Sequence, residues 1–137
     1  MNRKNLQFLG MILVFSLFLS ACGSNSNEVE NSGEDVRIQA GRELFAQTIL
    51  GTQTGCKTCH SLDEGVIIVG PSLAGIGARG GETVPGVSAA EYIRESIMDS
   101  EVYLVEGFPA GTMPNVWGEQ LSDEQIDDLV AYLLSLK

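Results

Sequence analysis

The most constraining feature of this sequence is the run Cys56-Lys57-Thr58-Cys59-His60, which places two thiols and an imidazole within five residues. Two cysteines at this separation can add their thiols across the two vinyl groups on one side of a porphyrin. The adjoining histidine then presents its imidazole to the iron from one face of the ring. The spacing therefore predicts covalent attachment of one c-type haem, with Cys56 and Cys59 as attachment residues and His60 as an iron ligand.

Three other chemistries use closely spaced cysteines, and each fits this sequence less well. A disulfide between Cys56 and Cys59 would close a loop too small to stabilise much, and it would leave His60 without a role. A thioredoxin-like redox pair would follow a strand in a βαβ setting, which the pattern of this chain does not indicate. A zinc site needs four ligands, but apart from this motif and Cys22 the chain has no other cysteine or histidine.

The second axial iron ligand is predicted by elimination. His60 is the only histidine, and beyond residue 22 the only lysines lie inside the attachment motif or at the C-terminus. The remaining candidates are Met98 and Met113. Met98 falls within a predicted amphipathic helix, where methionine usually fills the core, whereas Met113 lies in a loop beside the stiff residue Pro114. Met113 is therefore the predicted partner of His60, and such a pair favours reduced iron and raises its potential.

Hydrophobic periodicity predicts three helices, so the expected fold class is all-α. The first helix is predicted over residues 39–50. Capping-box patterns, a serine with glutamate or glutamine three residues later, mark the starts of the other two at Ser88 and Ser122. Residues 65–87 contain seven glycines and no phosphate-binding motif. They are predicted as tight loops that wrap a cofactor edge, because glycine lets backbone approach a flat group closely.

The N-terminal residues predict export and lipidation. A basic start is followed by an apolar run from Leu6 to Leu19, shorter than the roughly twenty residues of a membrane-spanning helix, which predicts a signal peptide over residues 1–21. The run Leu19-Ser20-Ala21-Cys22 resembles the lipobox of bacterial lipoproteins, so Cys22 is the predicted lipidation site. An uncleaved anchor and a soluble periplasmic protein cut near Ala21 are the alternatives. Residues 22–37 are predicted as a flexible tether, which would hold a folded domain outside the cytoplasm at a bacterial membrane.

The charge of the chain restricts its partners. The net charge is −10 at pH 7, and it becomes more negative when the cations Arg3 and Lys4 leave with the signal peptide. This argues against nucleic acid as a partner, because binding it requires a basic surface. A protein partner with a basic surface is favoured instead, since opposite charges increase encounter rates.

From about residue 38 to 137 the chain resembles the class I mono-haem cytochromes c. The residues that carry this resemblance are Gly41, Phe45, Cys56-Lys57-Thr58-Cys59-His60, Gly70-Pro71-Ser72-Leu73, Met113-Pro114, Leu129 and Tyr132. The resemblance implies a small all-α fold in which the terminal helices cross at Gly41 and loops wrap one covalent haem. It also implies that the Pro71 carbonyl accepts the second ring proton of His60 and that Leu73 packs on the haem. Trp117 is expected either in the core, or as a cover of the haem or a donor to a propionate.

The same resemblance implies electron transfer to redox protein partners rather than enzymatic catalysis. Residues 92–97 and 106–109 also resemble haem domains of bacterial respiratory complexes, such as oxidase subunit II and the mono-haem lipoprotein subunit of alternative complex III. Many of these relatives have proline where this chain has Ser100. Two roles in a respiratory or photosynthetic chain stay open: a membrane-anchored carrier between a quinol-oxidising complex and a terminal oxidase or other acceptor, or a fixed relay subunit of a quinol-oxidising or oxidase complex. A haem peroxidase or gas sensor would need an open iron position and usually a distal acid–base residue. This role is disfavoured, because the only histidine of the chain is itself a predicted iron ligand.

Overall fold

The computed structural model describes the backbone of residues 26–137 and the side chains of residues 32–137. The predicted signal peptide (residues 1–21) and the predicted lipidation site Cys22 lie outside the described residues. Six helices and one two-stranded sheet form the regular structure of this part of the chain. In chain order the elements are α1 (Ser26–Phe45), β1 (Ile49–Leu50), β2 (Gln53–Thr54), α2 (Cys56–Cys59), α3 (Ile76–Thr83), α4 (Ala89–Met98), α5 (Trp117–Gln120) and α6 (Asp123–Ser135). The predicted all-α fold class is confirmed.

The two terminal helices, α1 and α6, form the most extensive helix–helix contact of the described fold. The predicted capping box at Ser122 is present and begins α6. The α6 residues that are buried against the rest of the fold are Ile126, Leu129, Val130, Tyr132 and Leu133. At the crossing, a Cβ atom on Gly41 would overlap the Asp128 backbone carbonyl and lie 2.8 Å from Tyr132 Cβ. Glycine at this position is therefore what allows the two helices to approach so closely.

Helix α4 begins at the second predicted capping box, in which the Ser88 side chain accepts the Glu91 N–H and Glu91 reaches back to the Ser88 backbone. It contacts both α3 and α6. Ion pairs from Arg37 of α1 and Arg94 of α4 converge on Asp127 of α6. The ion pairs therefore tie three helices together at the surface, beside the apolar core that they share.

The first helix differs from its prediction at its C-terminal end. The sequence predicts a helix to Leu50, whereas α1 ends at Phe45 and the chain continues into β1 and β2, which pair Ile49 with Thr54. Gly51 has the positive φ of 58° that this tight turn requires. Leu50 is buried while Ile49 is exposed, so these apolar neighbours alternate as strand residues do.

The first helix also begins earlier than predicted. It starts at Ser26, so residues 26–37, predicted as part of the tether, are helical. The side chains of residues 32–37 are exposed. Residues 32–37 bury no apolar stripe, so hydrophobic periodicity has nothing to detect in them.

The glycine-rich segment contains a helix that the loop prediction missed. Within residues 65–87, α3 begins after Gly75, which has a φ of 63°. A Cβ atom on Gly77 would overlap the Leu134 backbone carbonyl of α6, and the Gly77 N–H donates to the Leu136 carbonyl at 2.9 Å. The loop prediction is thus wrong for Ile76–Thr83, where glycine permits a close helix contact. Within residues 26–137 no helix combines the length and the apolar character needed to cross a membrane.

Candidate cofactor-binding site

All six side chains predicted to hold the cofactor line one cleft. They are Cys56, Cys59, His60, Pro71, Leu73 and Met113. The rest of the cleft wall is mainly apolar and includes Phe45, Ile76, Ile93, Ile97, Leu129 and Leu133. Two thiols, an imidazole and a thioether thus face an apolar space, and this donor set fits a large apolar cofactor that carries iron.

One wall of the cleft is formed by residues 56–73, which we call the attachment segment. Its first turn is α2, and the residue before it, Gly55, packs so closely on the Gln47 carbonyl that a Cβ atom would overlap it. Cys56 and Cys59 are both half-buried and free. Burial raises the pKa of the Cys56 thiol, and the neighbouring Cys59 acts in the same direction. Cys56 therefore keeps its thiol proton at pH 7.

The imidazole of His60 is oriented by a backbone carbonyl. Its Nδ1 lies 2.8 Å from the Pro71 carbonyl oxygen, the contact that the family resemblance implies. Nδ1 must carry the proton in this hydrogen bond, which leaves the Nε2 lone pair free for a metal. Burial lowers the pKa of His60, although the Pro71 hydrogen bond acts in the opposite direction. A neutral imidazole is the form that binds iron.

Gly70 makes this arrangement sterically possible. A Cβ atom at this position would lie 2.9 Å from Nδ1 and 3.0 Å from Nε2 of His60, closer than side-chain atoms normally approach. The backbone of Gly70 therefore packs directly on the imidazole face. Glycine is required here for close approach, the same physical reason that applies at the helix crossing.

Backbone hydrogen bonds fold the attachment segment onto itself. The Cys59 carbonyl accepts the N–H groups of both Val69 and Gly70, at 3.1 and 2.9 Å, and the Ser61 carbonyl accepts the Leu73 N–H at 2.8 Å. These bonds bring the Pro71 region back beside His60. Main-chain hydrogen bonds therefore place the carbonyl that orients the His60 imidazole.

The remaining predicted iron ligand, Met113, lies in residues 99–115, which we call the Met113 loop. Met113 is half-buried and lines the cleft. Met98, the other methionine weighed as a ligand, lies at the C-terminal end of α4 with 37% of its surface exposed. It packs near Gly118 rather than filling the core. The expectation that Met98 is a core residue is wrong, and of these two residues only Met113 lines the cleft.

Trp117 is the first residue of α5, is 3% exposed and lines the same cleft. Two further cleft residues were not predicted from the sequence. The Arg79 guanidinium donates to the carbonyls of Ser72 at 2.6 Å and Ala74 at 3.2 Å, which holds the backbone beside Leu73. Tyr103 stacks near Tyr92, with ring centroids 5.5 Å apart. Both residues lie in segments predicted as irregular, where no periodicity indicates which side chains turn inward.

The comparisons with known proteins agree with this site. The family model described as cytochrome c matches residues 38–137, which is most of the chain and includes every residue named above that lines the cleft. No curated protein matches the chain, and no solved structure does.

Proposed function

Because this chain belongs to the cytochrome c family, we propose that it is a membrane-anchored one-electron carrier of a respiratory or photosynthetic chain, with His60 and Met113 as axial iron ligands. Family membership confirms the predicted fold and the predicted cofactor, one covalent haem c with its iron. It also supports haem-based electron transfer to redox partners. The observation that carries the ligand proposal is that Cys56, Cys59, His60 and Met113 line one apolar cleft.

When bound, the haem supplies an iron centre that accepts or releases one electron. The chain's own residues hold and tune it. Cys56 and Cys59 would hold the haem through two thioethers, in which each sulfur bonds a vinyl carbon and its hydrogen goes to the neighbouring carbon. His60, oriented by Pro71, would supply a ligand nitrogen, and Met113 would supply the thioether that favours reduced iron.

The cleft favours electron transfer over catalysis at the iron. With both His60 and Met113 bound, the iron would have no position left for a substrate, and keeping the same ligands in both redox states would keep reorganisation small. A peroxidase would also need a free acid–base group beside the iron. His60 is the only histidine of the chain, and the Glu101 carboxylate at the cleft already accepts the Gly111 N–H at 2.7 Å. These features support an electron-transfer protein rather than a haem peroxidase or gas sensor.

Replacing Met113 with alanine tests the ligand proposal. The Met113→Ala protein should lose the weak far-red methionine–iron absorption band, show a lower reduction potential and bind carbon monoxide when reduced. Met98→Leu is the matched control, because it removes the other methionine while conserving volume. Loss of the band in Met98→Leu and its retention in Met113→Ala would show that the ligand assignment is wrong.

The membrane anchor is a separate part of the proposal and rests on Cys22. If this residue is acylated, haem protein should fractionate with membranes from cells that express the wild-type chain and should be released in Cys22→Ala. Several acyl chains on one residue bind a membrane firmly, whereas a single chain binds only marginally. A wild-type protein found entirely in the soluble fraction would contradict the anchor and the proposed location, which is outside the cytoplasm on the periplasmic or external face of a bacterial membrane.

A fixed relay subunit of a respiratory complex is the second candidate, favoured by the likeness of residues 92–97 and 106–109 to haem domains of such complexes. A native gel of mildly solubilised membranes, stained for covalent haem, distinguishes the two roles. Haem near the size of the monomer supports a tethered carrier with transient, salt-sensitive partners. Haem that migrates with a complex of much larger size supports a built-in relay.

A further inference from the structure

The hydrogen bonds that hold the two ends of the Met113 loop together involve side chains. The Asp99 N–H closes the last turn of α4 on the Glu95 carbonyl. From there to residue 115 of the described chain, the backbone-to-backbone hydrogen bonds are local: the Val102 N–H donates to Asp99, and the Phe108 N–H to Val105. Most side chains from residue 101 to 112 are exposed. The backbone of residues 100–115 therefore has no main-chain hydrogen bond to another element of the described structure.

Hydrogen bonds that involve the side chains of Asp99, Ser100 and Asn115 provide this connection. The Ser100 hydroxyl donates to the Met113 carbonyl at 3.1 Å, and the Ser100 N–H donates to Asn115 Oδ1 at 3.2 Å. The Asn115 amide in turn donates to Asp99 Oδ1 at 3.1 Å. Three hydrogen bonds thus join two consecutive residues after α4 to the two sides of Pro114.

This clamp connects the methionine to a rigid part of the core. Helix α4 is fixed by the buried side chains of Tyr92, Ile93 and Ile97, and Asp99 and Ser100 follow directly after its last turn. The loop between the two ends of the clamp is long and exposed, so closing it costs conformational entropy. Without the clamp, that entropy would favour conformations in which residue 113 moves away from the cleft.

We propose that Ser100 and Asn115 are positioning residues that hold the Met113 thioether in the cleft and set how often it leaves the iron. This inference rests on the proposed ligand role of Met113. The serine at position 100 is central, because it uses both its N–H and its hydroxyl. Proline has neither group, so a proline at this position could not form the clamp.

The test uses the full-length holoprotein and measures carbon monoxide uptake by the reduced form, together with the far-red band of the oxidised form. Ser100→Ala removes the bond to the Met113 carbonyl and should increase the rate of uptake about fivefold, the factor expected for the loss of one ordinary hydrogen bond. Asn115→Ala removes two bonds and should increase the rate further. Ser100→Thr keeps the hydroxyl and should restore the wild-type rate.

Ser135→Ala is the matched control, since the Ser135 hydroxyl also donates to a backbone carbonyl, that of Tyr132, at 2.6 Å. It should leave carbon monoxide uptake unchanged. If Ser100→Ala and Asn115→Ala also take up carbon monoxide at the wild-type rate, while their unfolding temperatures fall as in the control, the clamp is merely structural and the inference is wrong. Met113→Ala separates the two proposals: if that variant keeps the far-red band, the ligand assignment fails and this inference fails with it. If it loses the band, the ligand assignment stands, and carbon monoxide uptake by the Ser100 and Asn115 variants alone decides whether this inference is correct.

Discussion

The attachment segment and the Met113 loop line the same cleft but are held by different kinds of hydrogen bond. In the attachment segment the bonds at Cys59 and Ser61 join main-chain groups, so they depend little on which side chains are present. In the Met113 loop the connecting bonds come from the side chains of Asp99, Ser100 and Asn115. Loss of one side chain can therefore loosen the loop, whereas the main-chain bonds at Cys59 and Ser61 do not depend on any one side chain. The difference suits the proposed site, in which Cys56 and Cys59 would hold the cofactor permanently and Met113 would adjust the iron.

The largest expected difference between the two regions is retention of the cofactor. The double variant Cys56→Ser and Cys59→Ser should lose covalent haem completely, because an alcohol does not replace a thiol in thioether formation. Met113→Ala should keep all of it. Haem staining after denaturing electrophoresis, with the mass of the intact protein, measures this. Loss of covalent haem in Met113→Ala would show that the two sides are not separable.

Amide hydrogen exchange should separate the regions in the unmodified protein. The Val69 and Gly70 N–H groups, both bonded to the Cys59 carbonyl, should exchange slowly. For the N–H groups of residues 104–107 the described structure contains no hydrogen-bond acceptor, so these amides should exchange faster by about tenfold or more. Residue-resolved exchange in the holoprotein measures both sets. Equal protection would contradict the contrast drawn above.

A matched pair of glycine substitutions tests the packing of each region. Gly70→Ala would push a Cβ atom into the His60 ring and should destabilise the fold by about 1–3 kcal/mol. Gly111→Ala meets no atom within 4 Å but has a φ of 76°, so it should cost only about 1–2 kcal/mol of backbone strain. Chemical denaturation gives both values. The NMR signal of the His60 Nδ1 proton should shift only in Gly70→Ala, and a shift in both variants would refute a local effect.

The smallest expected effect lies outside both regions and serves as a reference. Hydrogen bonds from the Ser88 side chain and backbone lower the pKa of the exposed Glu91 carboxyl below its ordinary value of 4.5. Because the folded-state pKa is depressed, this interaction stabilises the fold above that pH and is lost as the pH falls through the folded-state pKa. Ser88→Ala should raise the pKa of Glu91 towards 4.5, measured by NMR titration, without changing the haem spectrum. An unchanged pKa would show that the hydrogen bond from the Ser88 hydroxyl contributes little in solution.

Sequence reasoning succeeded where the signal is local. The capping boxes at Ser88 and Ser122 mark the starts of α4 and α6 because each needs only residues within one turn. It failed where the local structure depends on the solvent exposure of a segment or on its packing against another element. Residues 32–37 of α1 are exposed, and α3 contains glycines that appear loop-forming until Gly77 is placed against Leu134. Met98 fits the apolar periodicity of α4, but it is the last residue of that helix and is partly exposed to solvent.

What the sequence by itself determined is the chemistry of the cofactor, because the spacing of Cys56, Cys59 and His60 is fixed by the covalent chain. Only the tertiary structure decided how the predicted ligand side chains are held. The Pro71 carbonyl reaches His60 through backbone pairing across a loop, and the Ser100 hydroxyl, just beyond the end of α4, donates to the Met113 carbonyl. Such contacts join residues more than ten positions apart, and their formation depends on how the helices pack. Covalent spacing determined what this chain binds, and packing determined how firmly each side of the cleft is held.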